Sequence, residues 1–391
     1  MLNTSLSPWP SFTQEEADAV SKVLLSNKVN YWTGTECREF EKEFATFAGT
    51  QYAVALSNGT LALDVALKAM GIGAGDDVIV TSRTFLASAS CIVTAGANPV
   101  FADVDLNSQN ISAETIKAVL TPNTKAIIVV HLAGMPAEMD GIMDLAKEHD
   151  LWVIEDCAQA HGAKYKGKSV GSIGHVGAWS FCQDKIMTTG GEGGMVTTND
   201  KELWSKMWSY KDHGKSYDAV YNREHAPGFR WLHESFGTNW RMMEMQAVIG
   251  RIQLKRMPEW TARRQAHAAK LAVSLGKFKS IRLIEVADYI EHAQYKFYAF
   301  VKPEHLKEGW TRDRIVNELN ARKVPCYQGS CSEVYLEKAF DNTPWRPKER
   351  LKNAVELGDT SLMFLVHPTL TDDEIAFCKE HIEAVLAEAT A

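Results

Sequence analysis

The chain has 391 residues, 45% hydrophobic and 23% charged, with a net charge of -7 at pH 7; that is an ordinary globular composition, long enough for a large core and for two or three domains. The acidic balance, with a pI near 6.0, gives no general attraction to nucleic acid or to an anionic membrane surface. No apolar run is long enough to span a bilayer, and Met1-Leu2-Asn3-Thr4-Ser5 carries neither a basic nor an apolar leader pattern, so a cytoplasmic protein is expected.

In chain order, Thr13 reads as an N-cap with Glu16 three residues on, opening a helix. Residues 54–56 form a short strand that runs into the polar turn Ser57-Asn58-Gly59-Thr60. A helix follows, with Leu63, Ala66, Leu67 and Met70 at the i, i+3, i+4, i+7 spacing. Gly71-Ile72-Gly73-Ala74-Gly75 follows this helix instead of a strand, so it is a C-cap turn and not a dinucleotide loop. Apolar runs at 78–80, 100–103, 126–131, 152–155, 178–181 and 195–197 then alternate with helical patterns. That order predicts a largely parallel sheet covered on both faces. Residues 211–240 are polar and aromatic without periodicity, which predicts a long functional or interfacial loop or arm. A helix over 242–257 is expected to stop before Pro258, with another over 261–275. A strand at 295–301, a helix at 312–321 and a terminal helix at 372–387 complete a smaller α+β unit. The seven cysteines are scattered without a CxxC and read as buried reduced thiols, with no metal site expected.

The chemistry concentrates between 156 and 194. Lys185 stands between the strand 178–181 and a loop with four glycines among Gly190-Gly191-Glu192-Gly193-Gly194. Glycines let a backbone pass close to a planar cofactor or take positive φ, and no Gly-Lys-Ser/Thr ends the run, which excludes a P-loop. Upstream, Glu155-Asp156 ends a strand, and the carboxyl ends of parallel strands are where open α/β sheets bind ligands. An amine that can form a Schiff base and a carboxylate that can keep a pyridine nitrogen protonated are what pyridoxal phosphate (PLP) requires. Each residue also has an ordinary reading: a surface lysine, or an acid that caps a helix. Gln159, three residues after Asp156, could reach the same ligand. Gly59 and Thr60 open a helix, where free N–H groups and the dipole favour a phosphate, and the same turn could be a plain N-cap by Ser57 or Asn58. Ser180 could add a hydroxyl there or be a core serine, and Phe85 could stack on a ring or fill the core.

Together, Ser57-Asn58-Gly59-Thr60, Thr84-Phe85, the run from His131 to Asp140, the run from Glu155 to Gly162, Ser180-Phe181, Lys185, Gly190–Gly194 and Gly237-Thr238-Asn239-Trp240-Arg241 resemble the DegT/DnrJ-type sugar-nucleotide aminotransferases. The resemblance runs in order from about residue 10 to 255, and more weakly to the C-terminus. It implies an α/β, type I PLP-transferase fold: a large PLP-binding domain over 1–255 with a mainly parallel central sheet, 211–240 as an interface arm, and a small C-terminal α+β domain over 256–391. It further implies that Lys185 forms the Schiff base and shuttles the proton, and that Asp156 holds the ring nitrogen. Gln159 would hold the phenolic oxygen and Phe85 the ring face, while Gly59, Thr60 and Ser180 hold the phosphate. Asn239 would reach the phosphate of the partner subunit, making a homodimer with shared sites. The implied reaction moves an amino group from glutamate to a nucleotide-linked ketosugar, with a 4-keto-6-deoxyhexose preferred. Three segments depart from the family pattern: Thr188-Thr189-Gly190, Ala133 after His131-Leu132, and Val324–Ser330, from which no substrate residue is carried over. The rival readings are a sugar 3-dehydratase on the same fold, against which a lysine at 185 speaks, and a PLP-binding regulator without turnover.

Overall fold

Seven strands form the central sheet of the computed structural model, which describes residues 6–391; Met1–Ser5, read above for a leader pattern, lie outside them. The strands are β1 (Tyr52–Leu56), β2 (Asp77–Thr81), β3 (Asn98–Ala102), β4 (Thr124–Val130), β5 (Trp152–Asp156), β6 (Val176–Ser180) and β7 (Gly194–Thr198). Their order is β1-β7-β6-β5-β4-β2-β3. From β3 to β6 every pairing is parallel, and β7 runs antiparallel to both β6 and β1.

The continuous apolar runs have a simple cause. Successive side chains point to opposite faces of a strand, and both faces are covered. Val78 and Val80 pack with Ala126 and Ile128 on one side, whereas Ile79, Ile127 and Val129 pack on the other. All seven are fully buried, and burying a Val or Ile side chain contributes about 1.5–3 kcal/mol. No charged residue could stand within 78–80 or 126–130 without facing a core, and the charged residues of these strands, Asp77 and Lys125, lie unburied at their beginnings.

A second sheet lies in the C-terminal part. It comprises β8 (Ile281–Leu283), β9 (Phe297–Val301), β10 (Cys326–Tyr327) and β11 (Ser361–Phe364), antiparallel throughout in the order β8-β9-β11-β10. Ile382, Val385 and Leu386 of the terminal helix Asp372–Ala389 join its core. A 32-residue helix, Glu244–Leu275, links the two sheets, and residue 255 falls inside it.

That helix corrects the sequence reading. Pro258 does not end it; the chain continues helical through the proline. Proline removes one backbone donor and crowds the preceding turn. The loss is outweighed because Leu254, Met257, Trp260, Arg264 and Leu271 on both sides of it are buried along one length of helix, so tertiary packing overrides local propensity. Other local expectations match. Glu16 accepts the Thr13 N–H and hydroxyl at the head of the Gln14–Leu25 helix, and the helix Gly59–Ala69 ends ahead of Gly71 at positive φ. The segment 211–240 is irregular except for the short helix Tyr217–Tyr221. All seven cysteines are free, but Cys182 is only half-buried and Cys331 is exposed, because both lie on loops beyond strand ends. Among the described residues no helix is long and apolar enough to cross a membrane.

Candidate active site

The carboxyl ends of β4, β5 and β6 converge on one edge of the large sheet, the place where parallel sheets bind ligands. Because strand side chains alternate, Glu155 and Asp156 at the end of β5 point to opposite faces. Glu155 is fully buried and accepts from the backbone N–H groups of Gly171, Ile173 and Gly174 and from His131 Nε2 at 3.0 Å. The Ala137 N–H donates to His131 Nδ1, which leaves the hydrogen of the neutral ring on Nε2, directed at Glu155. Burial works against the Glu155 charge, yet His131 and these donors hold its carboxyl below the usual range. The network locks the end of β5 and the loop after β4.

Asp156, on the other face, is 6% exposed. It accepts from Ser88 Oγ at 2.7 Å and from the Ala158 N–H at 3.1 Å. Burial pushes its carboxyl above the usual range, while Ser88, Ala158 and the charge of Lys185 act in the opposite direction. It makes no ion pair among the described residues. A buried carboxylate in this state gains from a cationic partner.

The turn from β1 into the next helix forms a second corner. Asn58 is the N-cap, its Oδ1 accepting from the Leu61 N–H. Gly59 is the first helical residue, and a Cβ there would stand 2.5 Å from Ser180 Cβ and 3.0 Å from Ser180 Oγ. Only glycine allows the helix N-terminus and the Ser180 hydroxyl to approach this closely. Thr60, the next residue, is exposed.

Lys185 lies on the loop between β6 and β7. Its side chain is 17% exposed, with Nζ 3.6 Å from Asp184 Oδ1 and 5.5 Å from the centre of the Tyr295 ring. The Trp9 indole N–H donates to the Lys185 carbonyl at 2.8 Å. Trp9 is itself wedged between His367, stacked at 6.0 Å, and Trp260, edge-on at 5.0 Å. Lys185, Gln159 and Phe85 all line one cavity of about 1070 Å³, closed on its other sides by residues 6–12 and by the C-terminal part. Gln159 Oε1 accepts from the Ala133 N–H at 2.7 Å, so its amide nitrogen remains as a donor. Phe85 is 69% exposed.

Asn239 does not line this cavity. It is exposed on the 211–240 segment, where its backbone bridges to Asp212. The segment is tied into its own chain by Ser57, which donates to the carbonyls of Trp240 and Arg241.

These groups fit PLP by chemistry. The Gly59–Ser180 corner is a cradle that a Cβ would fill, at a helix N-terminus suited to a phosphate. Asp156 is a buried carboxylate suited to a pyridinium, Gln159 offers an N–H to an anionic oxygen, and Lys185 offers the amine. Sequence reasoning missed Ser88, Tyr295, Trp9, Lys296 and His367. Ser88 stands in the Thr81–Ser88 run that carries Phe85, so proximity to Phe85 was its one signal; the others come from distant segments without local pattern.

The model of the DegT/DnrJ/EryC1/StrS aminotransferase family matches residues 10–383. The crystal structure of an aminotransferase from Psychrobacter cryohalolentis superposes with a TM-score of 0.96 at 66% identity, covering 98% of this chain and 99% of that one. GDP-perosamine synthase of Escherichia coli O157:H7 is 42% identical over 95% of this chain and 96% of its own length. A UDP-N-acetyl-3-dehydro-alpha-D-glucosamine 3-aminotransferase of Acidithiobacillus ferrooxidans is 41% identical over 91% of this chain and 90% of its own.

Proposed function

The chain belongs to the DegT/DnrJ/EryC1/StrS aminotransferase family and is a PLP-dependent sugar aminotransferase; we propose that it moves the amino group of glutamate to a nucleotide-linked keto-deoxysugar, with a 4-keto-6-deoxyhexose as the acceptor. The observation that carries this reading is the Lys185 amine on the cavity wall within electrostatic reach of the buried Asp156 carboxylate at the end of β5. PLP, when bound, supplies a carbonyl that takes up an amino group and a protonated ring that accepts the electron pair left at a neighbouring carbon.

Lys185 would anchor the cofactor, and its amine is the group placed to take up a proton as general base and give it back as general acid. Asp156 would hold a proton on the ring nitrogen, with Ser88 fixing one carboxylate oxygen. Gln159 would donate to the phenolic oxygen, Phe85 would cover the ring face, and Gly59, Thr60 and Ser180 would hold the phosphate. Trp9 fixes the backbone of Lys185, so the amine swings from a fixed base. Leu6, Ser7, Pro8, Trp9, Pro10 and Phe12 form one wall of the cavity.

The same reading makes the protein a cytoplasmic homodimer with shared sites, with Asn239 directed at the partner's phosphate. Phe229, Trp231 and Phe236, at 77%, 81% and 98% exposure on the same segment, support it, because large apolar groups left bare on one arm are suited to an interface.

The test is spectroscopic. Glutamate added to the PLP-loaded enzyme is expected to shift the visible absorbance of the cofactor and to release 2-oxoglutarate. A panel of nucleotide-linked 3- and 4-ketosugars then identifies the acceptor that reverses the shift. An absorbance unmoved by glutamate and by other amino acids overturns the aminotransferase reading, and reversal by 3-ketosugars alone overturns the 4-keto assignment.

A further inference from the structure

One lysine on the cavity wall, Lys296, has no anion of its own. Lys296, just ahead of β9, lines it and makes no ion pair or hydrogen bond among the described residues. Its Nζ lies 4.8 Å from the centre of the Tyr295 ring. Behind it, on the long helix, Arg264 is 1% exposed. One of its nitrogens reaches the Tyr295 carbonyl at 3.4 Å, whereas Nε and Nη2 have no hydrogen-bond partner. The guanidinium also packs 5.0 Å from the Trp9 ring.

Two carboxylates line the cavity, Asp184 and Glu337. Asp184 is already engaged by the Tyr295 hydroxyl and by Lys185, and Glu337 does not act on Lys296. Burial and the charges of Arg264 and Lys185 bring the Lys296 ammonium down to about 8, with Asp184 opposing them. His367, on the same wall, is held neutral by burial, with its pKa pushed down to about 3.

An unpaired cation at the rim of a buried, unsatisfied guanidinium is unfavourable unless an anion arrives. Neither Gly59 nor Ser180 lines this part of the cavity, so the cofactor's phosphate corner is elsewhere. We infer that Lys296, backed by Arg264, forms a carboxylate-binding subsite for the amino donor, which must present its amino group to the Lys185 end of the same cavity. This rests on the proposed glutamate chemistry; the ligand class is a small dicarboxylate.

The probe is glutarate, which has both carboxylates and no amino group to react. It is titrated by calorimetry into the PLP-loaded enzyme, the Lys296→Met variant and the Lys296→Arg variant, with GDP as a parallel ligand. Glutarate is expected to bind the native enzyme and Lys296→Arg, and to bind Lys296→Met at least tenfold more weakly, with GDP affinity moved less than twofold. Glutarate binding that is absent in the native enzyme, or unchanged in Lys296→Met, overturns the subsite. Weakening of GDP alone overturns it too, because the cation then serves a nucleotide phosphate. Glutarate binding without any response of the cofactor to glutamate leaves the subsite standing and removes the aminotransferase reading instead, so the two failures are separable.

Discussion

On the proposed reading Lys185 combines two tasks, anchor and proton carrier, in one side chain. Its side chain is 17% exposed and its nearest charge, Asp184, lies at 3.6 Å, so its removal costs about 1 kcal/mol, as for a typical point substitution. Lys185→Ala is therefore expected to abolish turnover with the fold retained and the melting temperature lowered by about 2–4 °C at most, and turnover near the native rate would refute the assigned role. Asp156→Asn keeps the size and the Ser88 contact but cannot hold a proton on a ring nitrogen. Loss of a charge-assisted hydrogen bond costs about 1.5–3 kcal/mol, so the rate should fall at least tenfold; a loss under twofold would make Asp156 a strand-end cap. His161 gives a pH dependence. It is fully buried 5.2 Å from the Trp179 ring and 5.6 Å from the Phe181 ring, and burial lowers its pKa from 6.5 to about 3. Between those values the unfolded chain binds the proton and the folded chain does not. Its contribution to stability is thus complete above pH 6.5 and is lost as pH falls toward 3. Melting curves over this window should show a steeper fall for the native chain than for His161→Leu, and identical slopes would refute the effect.

At the scale of elements, the long helix and the arm show what local pattern can carry. Pro258 is exposed within Glu244–Leu275, where a proline costs about 3 kcal/mol against alanine through its lost donor and its crowding of the preceding turn. Part of that is recovered because proline restricts the unfolded chain, by about 0.4–1 kcal/mol. Pro258→Ala should accordingly stabilise by about 2 kcal/mol, read as a raised melting temperature; a destabilised variant would mean that the packed face needs the local bend a proline imposes. The arm is closed at its base by Asp212, fully buried, which pairs with Arg241 at 2.7 Å and with Lys215 at 3.2 Å. Lys211, also fully buried, lies 3.3 Å from the centre of the Tyr31 ring. A loop pinned this firmly at its root while its tip bares Phe229, Trp231 and Phe236 supports the proposed interface role of the arm.

For the whole molecule the proposed homodimer has a testable consequence. In it, a symmetric pair exchanging arms would give each site one residue from its neighbour. Inactive Lys185→Ala mixed with Asn239→Ala, after demonstrated subunit exchange, should regain activity above either parent, since one site of each heterodimer then carries native Lys185 and a native Asn239. No gain, or a fully active monomer, would refute the shared site.

Much of the fold was legible because its signals are local. The strands at 78–80 and 126–131 announce themselves as unbroken apolar runs, since both faces of a parallel sheet are covered; the glycine loop and Glu155-Asp156 stand out because cofactor chemistry needs those residue types at strand ends. The continuity of the helix through Pro258 was not legible, because it is decided by Leu254, Trp260 and Leu271 packing on partners far away in sequence. The same holds for the cavity wall. Trp9 reaches the Lys185 carbonyl across 176 residues, and Lys296 comes within electrostatic reach of Asp184 and Arg264 only when the small sheet folds against the large one. Sequence by itself determined the family, the cofactor chemistry and the strand ends that carry it, because those depend on residue types at short spacing. Tertiary structure alone decided which distant side chains line the cavity and that Lys296 stands there without an ion pair, because burial and charge pairing are properties of contacts between segments and not of the segments themselves.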